Sequence, residues 1–274
     1  MIRSIMTTAV LIGLAGPALA EEDEAAQAAR WRELKSALFG DRAVIEDSNV
    51  VVLDAPTRAL DASTVPIGVS MNSGSSAGSQ MSGGVTKLWL VVDGNPSPVV
   101  GAFSFGPDGD PRSLRTRVRV DQYTLIHAVA ETADGRLFST AKYVKAAGGC
   151  SAPSTKDPQV AMSRLGEIRV RLEGNSAPVD GAVATAQLLI SHPNNNGMQM
   201  DQLTHNYIPP HYIQSVTVTY GGTLVFSVDA DISMSEDPAI TFGLRLDGNG
   251  PLHVEVKDSA KGDYRRDFAL LKGS

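Results

Sequence analysis

The run Leu114-Arg115-Thr116-Arg117-Val118-Arg119-Val120 decides the fold, because apolar and charged residues alternate along most of it with a period of two. That period is typical of a β-strand with one buried face and one solvated face. We therefore expect its three arginines to line a solvated sheet face rather than an anion site. Other short apolar runs between turn residues recur at the spacing of a β-sandwich. They cover 50–53, 65–69, 87–92, 123–130, 137–144, 167–172, 183–190, 214–220, 224–228, 239–246, 252–256 and 264–271.

Local signals add a helix and two hairpins to these strands. Apolar residues recur at three- and four-residue steps over 22–39, which predicts one amphipathic helix. Ala133-Asp134-Gly135-Arg136 and Tyr220-Gly221-Gly222-Thr223 are hairpin turn sequences. The Gly/Ser-rich stretch 70–84 has no periodicity and predicts a loop.

Composition excludes several classes of function. The 274 residues, 42% of them hydrophobic, are enough for two domains that each bury a core. The net charge of −6 argues against nucleic-acid binding as the main role. The single cysteine rules out an intramolecular disulfide and a thiolate-rich metal site.

The first twenty residues have the pattern of a secretory signal peptide. Arg3 precedes an apolar stretch over 5–14 that is too short to cross a bilayer comfortably, and Ala18-Leu19-Ala20 is a small-x-small cleavage sequence. An N-terminal membrane anchor is the less favoured interpretation. No later run approaches the roughly 20 apolar residues of a spanning helix. We expect a soluble, exported, periplasmic protein with no membrane partner.

A change of composition divides the mature chain. Small residues, glycines and prolines dominate 146–164, which predicts an interdomain linker. The predicted organisation is a β-rich domain with the helix over 21–145, the linker, and a second β-rich domain over 165–274. The expected fold is all-β, with the two sandwiches burying apolar faces against each other.

The linker carries the single cysteine, Cys150. Gly148 and Gly149 have no side chains to cover its sulfur, and Pro153 disfavours regular structure on the other side. We therefore expect an exposed, mobile thiol, which also risks a disulfide dimer. A nucleophile of a hydrolase needs a positioned base and an oxyanion hole. A mobile linker provides neither and suits a covalent carrier.

The two parts of the chain resemble the SoxY and SoxZ subunits of the periplasmic sulfur-carrier heterodimer. The SoxY resemblance, over roughly 45–150, rests on Asp93-Gly94-Asn95-Pro96-Ser97-Pro98, Arg117-Val118-Arg119, and 133–140 leading to Gly148-Gly149-Cys150. The SoxZ resemblance, over roughly 165–272, rests on Ile190-Ser191-His192-Pro193 with Gly197, Ile208-Pro209-Pro210-His211-Tyr212-Ile213, Val218-Thr219-Tyr220 and Asp237-Pro238.

This resemblance implies two immunoglobulin-like sandwiches and a non-enzymatic carrier without a cofactor. Cys150 would hold a sulfur intermediate as a persulfide or thiosulfonate, with Gly148 and Gly149 giving the arm flexibility. Three departures matter: Ser151-Ala152-Pro153 follows the cysteine, the leader lacks paired arginines, and the subunits are fused. The fused form resembles SoxYZ-like carriers associated with quinoprotein (PQQ-type) alcohol dehydrogenases. Partners would be sulfur-processing or redox enzymes, including such a dehydrogenase system.

The five histidines offer a competing site. His192, His205 and His211 fall within twenty residues, yet their spacing matches no closed metal motif, so we interpret them as structural or surface residues and expect no metal. His127 alternates within an apolar strand and is expected to be a satisfied core residue. His253 has no evident partner.

Two other functions stay open beside the carrier. One is a binding module, either an accessory to a quinoprotein dehydrogenase or a sandwich that binds a small periplasmic ligand, with Cys150 incidental. The other is a thiol enzyme that uses Cys150 with a histidine base. The sequence does not specify the carried group, the partner enzymes or the oligomeric state.

Overall fold

A computed structural model describes residues 24–71, 84–153, 158–174, 181–246 and 250–270. We call 24–153 the first half and 158–270 the second half. The first half contains α1 (Glu24–Phe39), β1 (Val44–Glu46), β2 (Val51–Asp54), β3 (Val65–Met71), β4 (Val85–Val92), β5 (Val99–Phe105), β6 (Gly109–Val118), β7 (Thr124–Thr132) and β8 (Leu137–Val144). The second half contains α2 (Pro158–Ser163), β9 (Ile168–Leu172), β10 (Val183–Ile190), β11 (Ile213–Tyr220), β12 (Thr223–Ala230), β13 (Ala239–Arg245), β14 (Leu252–Asp258) and β15 (Asp263–Phe268).

The strands form two sheets, and each sheet runs through both halves. The larger sheet has nine strands in the order β1-β8-β7-β4-β5-β12-β11-β14-β15. The smaller sheet has six strands in the order β2-β3-β6-β13-β10-β9. One cluster of buried side chains lies between them and takes residues from both halves. The architecture is therefore two immunoglobulin-like sandwiches that share one core.

The halves are joined by backbone hydrogen bonding at two strand pairs. Antiparallel β5 and β12 pair over Phe105↔Phe226 to Gly101↔Ala230. Antiparallel β6 and β13 pair over Thr241↔Arg115 to Leu244↔Gly109. The two halves bury apolar side chains together, as expected, because one core takes residues from both. Pairing of their edge strands was not predicted, and it removes the unpaired edges that two separate sandwiches would leave there.

Helix α1 covers the outer face of the larger sheet, as expected. Trp31 and Phe39 are buried against Val91, Val129 and Leu137. Phe39 meets Trp89 edge to face, with ring centroids 5.2 Å apart. Apolar residues at three- and four-residue steps thus give α1 its packing face.

Most predicted elements are present, and both predicted hairpins are confirmed. β7 pairs with β8 and β11 with β12, and Gly221 and Gly222 both have positive φ, as a primed turn requires. The pattern missed β1, β5 and α2. The expected leader at 1–20 lies outside the described residues, as does nearly all of the predicted loop at 70–84.

Replacing Phe226 with alanine tests whether the two halves unfold together. Phe226 is fully buried between Phe103 of the first half and Phe242 of the second. The cavity should cost about 3–5 kcal/mol and lower the melting temperature by roughly 10 °C. Both tryptophans, Trp31 and Trp89, lie in the first half. We expect their fluorescence and the far-UV circular dichroism to shift together.

The matched control is Val183→Ala, at a half-exposed second-half position, which should leave the midpoint nearly unchanged. The halves would be independent if the tryptophan fluorescence of Phe226→Ala kept the wild-type melting temperature while the circular dichroism showed an additional transition at a lower temperature.

Candidate functional site

The residues that lead to the single cysteine are fixed by backbone hydrogen bonds. The Gly148 amide donates to the carbonyl of Asp121 at 2.7 Å, and the Gly149 amide donates to the carbonyl of Val120 at 3.0 Å. The Cys150 amide donates to the Asp121 carboxylate at 3.3 Å. Three successive amides are thereby paired within the first half.

Gly149 is also required by close packing. A Cβ atom at this position would overlap the carbonyl oxygens of Ala62 and Val120. Gly148 has a φ of 78°, in the region that favours glycine. The proposed role of these glycines in arm flexibility stays a prediction, but the resting structure gives each of them a local steric or conformational reason.

The second half closes over the same segment. The side-chain amide of Asn196 donates to the Cys150 carbonyl at 2.7 Å. Arg119 of the first half donates through Nη1 to the Gly149 carbonyl at 3.1 Å and through Nη2 to the Asn194 carbonyl at 3.4 Å. We call these three hydrogen bonds the junction contacts. They place Cys150 where the two halves meet.

The expectation of an exposed thiol is wrong. Cys150 is 1% exposed. Burial raises the pKa of its thiol to about 12, and Asp121 adds to this effect while Arg119 opposes it. The thiol is therefore neutral and unreactive at pH 7, because the thiolate is the nucleophile. A disulfide dimer through Cys150 also requires an exposed thiol, and the closed structure does not expose it. The two glycines before Cys150 have no side chains to cover its sulfur, but residues distant in sequence bury it.

Arg119 departs from the predicted solvated face. The alternation of Leu114, Thr116 and Val118 inward holds only within β6, which ends at Val118. Beyond it the Arg119 amide donates to the Ser233 carbonyl of the second half at 2.8 Å, and the Arg119 side chain is 1% exposed. Desolvation lowers the pKa of its guanidinium, with the charge of Glu236 foremost among the opposing effects.

Thiol alkylation at pH 7 tests this closed arrangement. Native Cys150 should react at least about a thousandfold more slowly than a cysteine peptide, because both burial and the raised pKa reduce the accessible thiolate. Asn196→Ala removes one junction contact and should accelerate labelling several-fold.

Gln202→Ala, in the exposed part of the same loop, is the control and should label like the wild type. Wild-type labelling within tenfold of the peptide rate would contradict the closed arrangement.

Two of the three clustered histidines meet at a buried aspartate. Asp258 Oδ2 lies 2.7 Å from His211 Nε2 and 3.4 Å from His192 Nε2, and it accepts from the Tyr264 hydroxyl at 2.9 Å. The two imidazole rings are 4.7 Å apart. His205 is exposed and takes no part among the described residues. The network ties the loop that carries Asn194 and Asn196 to the end of β14.

These groups lie close enough to suggest a metal site, but the tautomer of His192 argues against one. The Asn194 amide donates to His192 Nδ1 at 3.0 Å. Nδ1 is therefore the unprotonated nitrogen, so Nε2 carries the proton and faces Asp258 as a donor. A metal-binding histidine uses the opposite arrangement, ligating with one nitrogen and donating from the other. Asp258 Oδ1 is already used by the amides of Ala260 and Gly262.

Protonation of this network should destabilise the fold. Burial, together with the neighbouring His211, lowers the pKa of His192 to about 4, although the hydrogen bond and charge of Asp258 oppose this shift. Burial alone raises the pKa of Asp258, but donation from His211, the Gly262 amide and Tyr264 holds it well below its usual value.

The free energy of unfolding should therefore fall as pH drops from about 6.5 to 4. In that window the unfolded chain binds a proton at residue 192 that the folded chain does not, a contribution of up to about 3 kcal/mol. Urea unfolding at pH 7 and pH 4.5 measures it. Between these two pH values the free energy of unfolding of His192→Gln should fall by about 2 kcal/mol less than that of the wild type. The exposed control His253→Gln should behave like the wild type. Equal losses in all three proteins would refute the assignment.

The remaining histidines are both paired. His127 is buried, with Nδ1 2.9 Å from Asp93 Oδ1, and its ring stacks on Trp31 at 3.6 Å. The expectation of a satisfied core histidine is confirmed. His253 does have a partner, because Nδ1 lies 2.6 Å from Asp267 Oδ1. That pair joins neighbouring strands β14 and β15, which were predicted separately, so their register was not known.

Two protein-family models match the chain, one in each half. The model for "Sulfur oxidation protein SoxY" matches residues 35–150, and the model for "Sulphur oxidation protein SoxZ" matches residues 170–269. The chain belongs to the SoxY–SoxZ sulfur oxidation family. It is a fused SoxYZ-like protein, and its SoxY match ends on Cys150. SoxY and SoxZ proteins are carriers and partners in sulfur oxidation rather than catalysts.

Solved structures give weaker similarities. The sulfur carrier protein SoxY from Chlorobium limicola f thiosulfatophilum is 22% identical, with 44% of this chain and 96% of that chain covered and a TM-score of 0.36. A beta-glycosidase from Bacteroides vulgatus is 10% identical over 82% of this chain and 25% of that chain, with a TM-score of 0.25. No curated protein sequence matches the chain. No helix in the described ranges is long and apolar enough to span a membrane.

Proposed function

We propose that this SoxYZ-like protein is a periplasmic carrier that holds a sulfur-containing intermediate covalently on Cys150 for partner enzymes. The observation that carries the proposal is the position of Cys150. It is the only cysteine of the chain and the last residue of the SoxY match, and it lies where the SoxY-like and SoxZ-like halves meet. The protein itself performs no catalysis under this proposal.

Carriage requires the cysteine segment, residues 146–153, to open. Opening breaks the three hydrogen bonds that the backbone amides of the segment donate. It also breaks the hydrogen bonds that Asn196 and Arg119 donate to the segment. At about 1 kcal/mol net for each of these five hydrogen bonds, opening costs on the order of 5 kcal/mol. Roughly one molecule in several thousand is then open at equilibrium. A partner that binds the open segment can draw on this population.

The fused chain constrains how the segment opens. The segment continues into the second half, so it bulges outward as a loop instead of swinging as a free end. Ser151 and Pro153 are already exposed, whereas Gly149 and Cys150 are buried. Opening therefore has to lift the buried side of the segment away from Val120 and Asn196.

Loading takes place by exchange at sulfur. The Cys150 thiolate attacks the outer sulfur of a donor R–S–S–X, a new Cys–S–S–X bond forms, and R–S⁻ leaves, so no external oxidant is needed. Opening is coupled to reactivity, since exposure to water brings the thiol pKa back toward its ordinary value near 8.5. The closed segment would then protect the cargo from reductants.

Each half has an exposed leucine close in sequence to a residue that contacts the cysteine segment. Leu60 is fully exposed two residues before Ala62, whose carbonyl abuts Gly149. Leu203 is 90% exposed, in the loop that follows Asn196. We infer that partner enzymes use these exposed leucines in docking.

Export to the periplasm is part of the proposal and rests on residues 1–20. The charged start, the apolar stretch and the small-x-small sequence have the order of a cleaved leader. The periplasm is also where a SoxYZ-like protein would meet its partners.

A binding module is the second candidate, and a cleft of about 460 Å³ beside α1 favours it. Trp31 and Ser139 line this cleft, and their Nε1 and Oγ atoms have no hydrogen-bond partner among the described residues. In this alternative the protein is an accessory of a periplasmic quinoprotein alcohol dehydrogenase, and the buried thiol is a structural residue.

Cys150→Ala separates the two candidates. Alanine keeps the buried site apolar, so the melting temperature should change by only a few degrees. A carrier loses its function in a complementation assay in the source organism, because no thiol remains to hold the cargo. Intact-mass measurement of wild-type protein isolated from those cells should show reductant-sensitive additions of sulfur.

Ser151→Ala is the matched control on the adjacent exposed residue and should complement fully. Full complementation by folded Cys150→Ala would eliminate the carrier and leave the binding module.

A further inference from the structure

Arg119 is a buried cation in an unusual state. Its side chain is 1% exposed and is the largest of the fully buried side chains in the described structure. Burial of a charged group is costly unless a counter-ion and hydrogen bonds compensate for it. Its two terminal nitrogens donate to the backbone carbonyls of Gly149 and Asn194, and to no other group of the described residues.

The third nitrogen of the guanidinium is unused. Arg119 Nε is buried and makes no hydrogen bond to any described residue. Guanidinium groups bind tetrahedral or planar oxyanions through adjacent N–H donors. A buried guanidinium with one donor free and the others on weak neutral acceptors is therefore equipped to take an anion.

The position of Arg119 points to which anion this is. Its Nη1 donates to the carbonyl of Gly149, the residue directly before Cys150, and its positive charge opposes the burial that raises the pKa of the Cys150 thiol. The negative charge of Asp121 raises the pKa of the thiol. The negative charges of Glu236 and Asp61 stabilise the charged form of the Arg119 guanidinium. Among the residues that the structure describes, Arg119 is the cation whose charge acts on this thiol.

We propose that Arg119 binds the anionic end of a sulfonate-type cargo carried on Cys150, so that the closed protein prefers –S–SO₃⁻ over an uncharged group. This inference rests on the proposed carrier function, and its new element is the residue that recognises the anionic end of the cargo. The guanidinium donates to a sulfonate oxygen either through the unused Nε or through a terminal nitrogen that gives up its carbonyl acceptor. The new contact is charge-assisted and replaces weaker bonds to carbonyls.

Two chemically installed adducts test the preference without any partner enzyme. Attack of the Cys150 thiolate on a central sulfur of tetrathionate gives Cys150 Sγ–S–SO₃⁻ and releases thiosulfate, whereas attack on the methylthio sulfur of methyl methanethiosulfonate gives Cys150 Sγ–S–CH₃ and releases methanesulfinate. Each reaction exchanges the reagent's S–S bond for the new one, so both balance without a further oxidant. Loading is done in dilute urea, which is then removed together with the reagent.

In the wild type the anionic adduct should melt about 4 °C or more above the thiomethyl adduct. Arg119→Gln should remove this difference, and Arg119→Lys should reduce it while keeping its sign. Comparing the two adducts within one variant cancels any effect of the substitution on the unmodified fold. If Arg119→Gln does not fold, Arg119→Lys supplies the comparison.

Arg117→Gln is the matched control, since it removes the same charge two residues earlier in the chain, at a half-exposed position. It should keep the full difference between adducts. Equal midpoints for both wild-type adducts, or an equal difference in Arg117→Gln and Arg119→Gln, would overturn the proposal. Because the adducts are installed by reagents, these results do not depend on whether cells use Cys150 as a carrier.

Discussion

Backbone pairing between β5 and β12 and between β6 and β13 is the constraint on which the rest of the structure depends. Each pair continues a sheet from the SoxY-like half into the SoxZ-like half. The two sheets consequently enclose a single core, which includes Phe103 from one half and Phe226 from the other. Edge pairing also fixes the relative position of loops that are distant in sequence, and the cysteine segment lies among those loops.

The burial of Cys150 follows from this arrangement. Neither half covers the segment alone: Asp121 and Val120 hold its amides from one side, and Asn196 holds its carbonyl from the other. The His192–Asp258 network in turn fixes the loop that carries Asn196. A reactive group is thus kept in a neutral, inaccessible state, and its use is coupled to local opening at the junction. Arg119 adds a charge that can distinguish an anionic cargo from a neutral one.

How much the sequence could predict depended on the range of the interactions involved. β8, β10 and the two hairpins were predictable because alternation and turn glycines are local signals. β5 was missed because Gly101 and small residues interrupt its pattern, yet it is the strand that joins the larger sheet. The burial of Cys150 and Arg119 depends on groups 30 or more residues away. The composition of the linker does not reveal such long-range contacts, and for this reason it predicted an exposed Cys150.

Hydrogen exchange at the Gly148 and Gly149 amides, measured beside the rate of Cys150 labelling, tests the central claim most directly. Both amides are bonded to the first half, and the thiol is buried with them, so one opening event should release all three groups. We predict equal opening free energies for the amides and the thiol, well below that of global unfolding. A thiol that reacts far faster than these amides exchange, or amides that exchange only on global unfolding, would contradict the account.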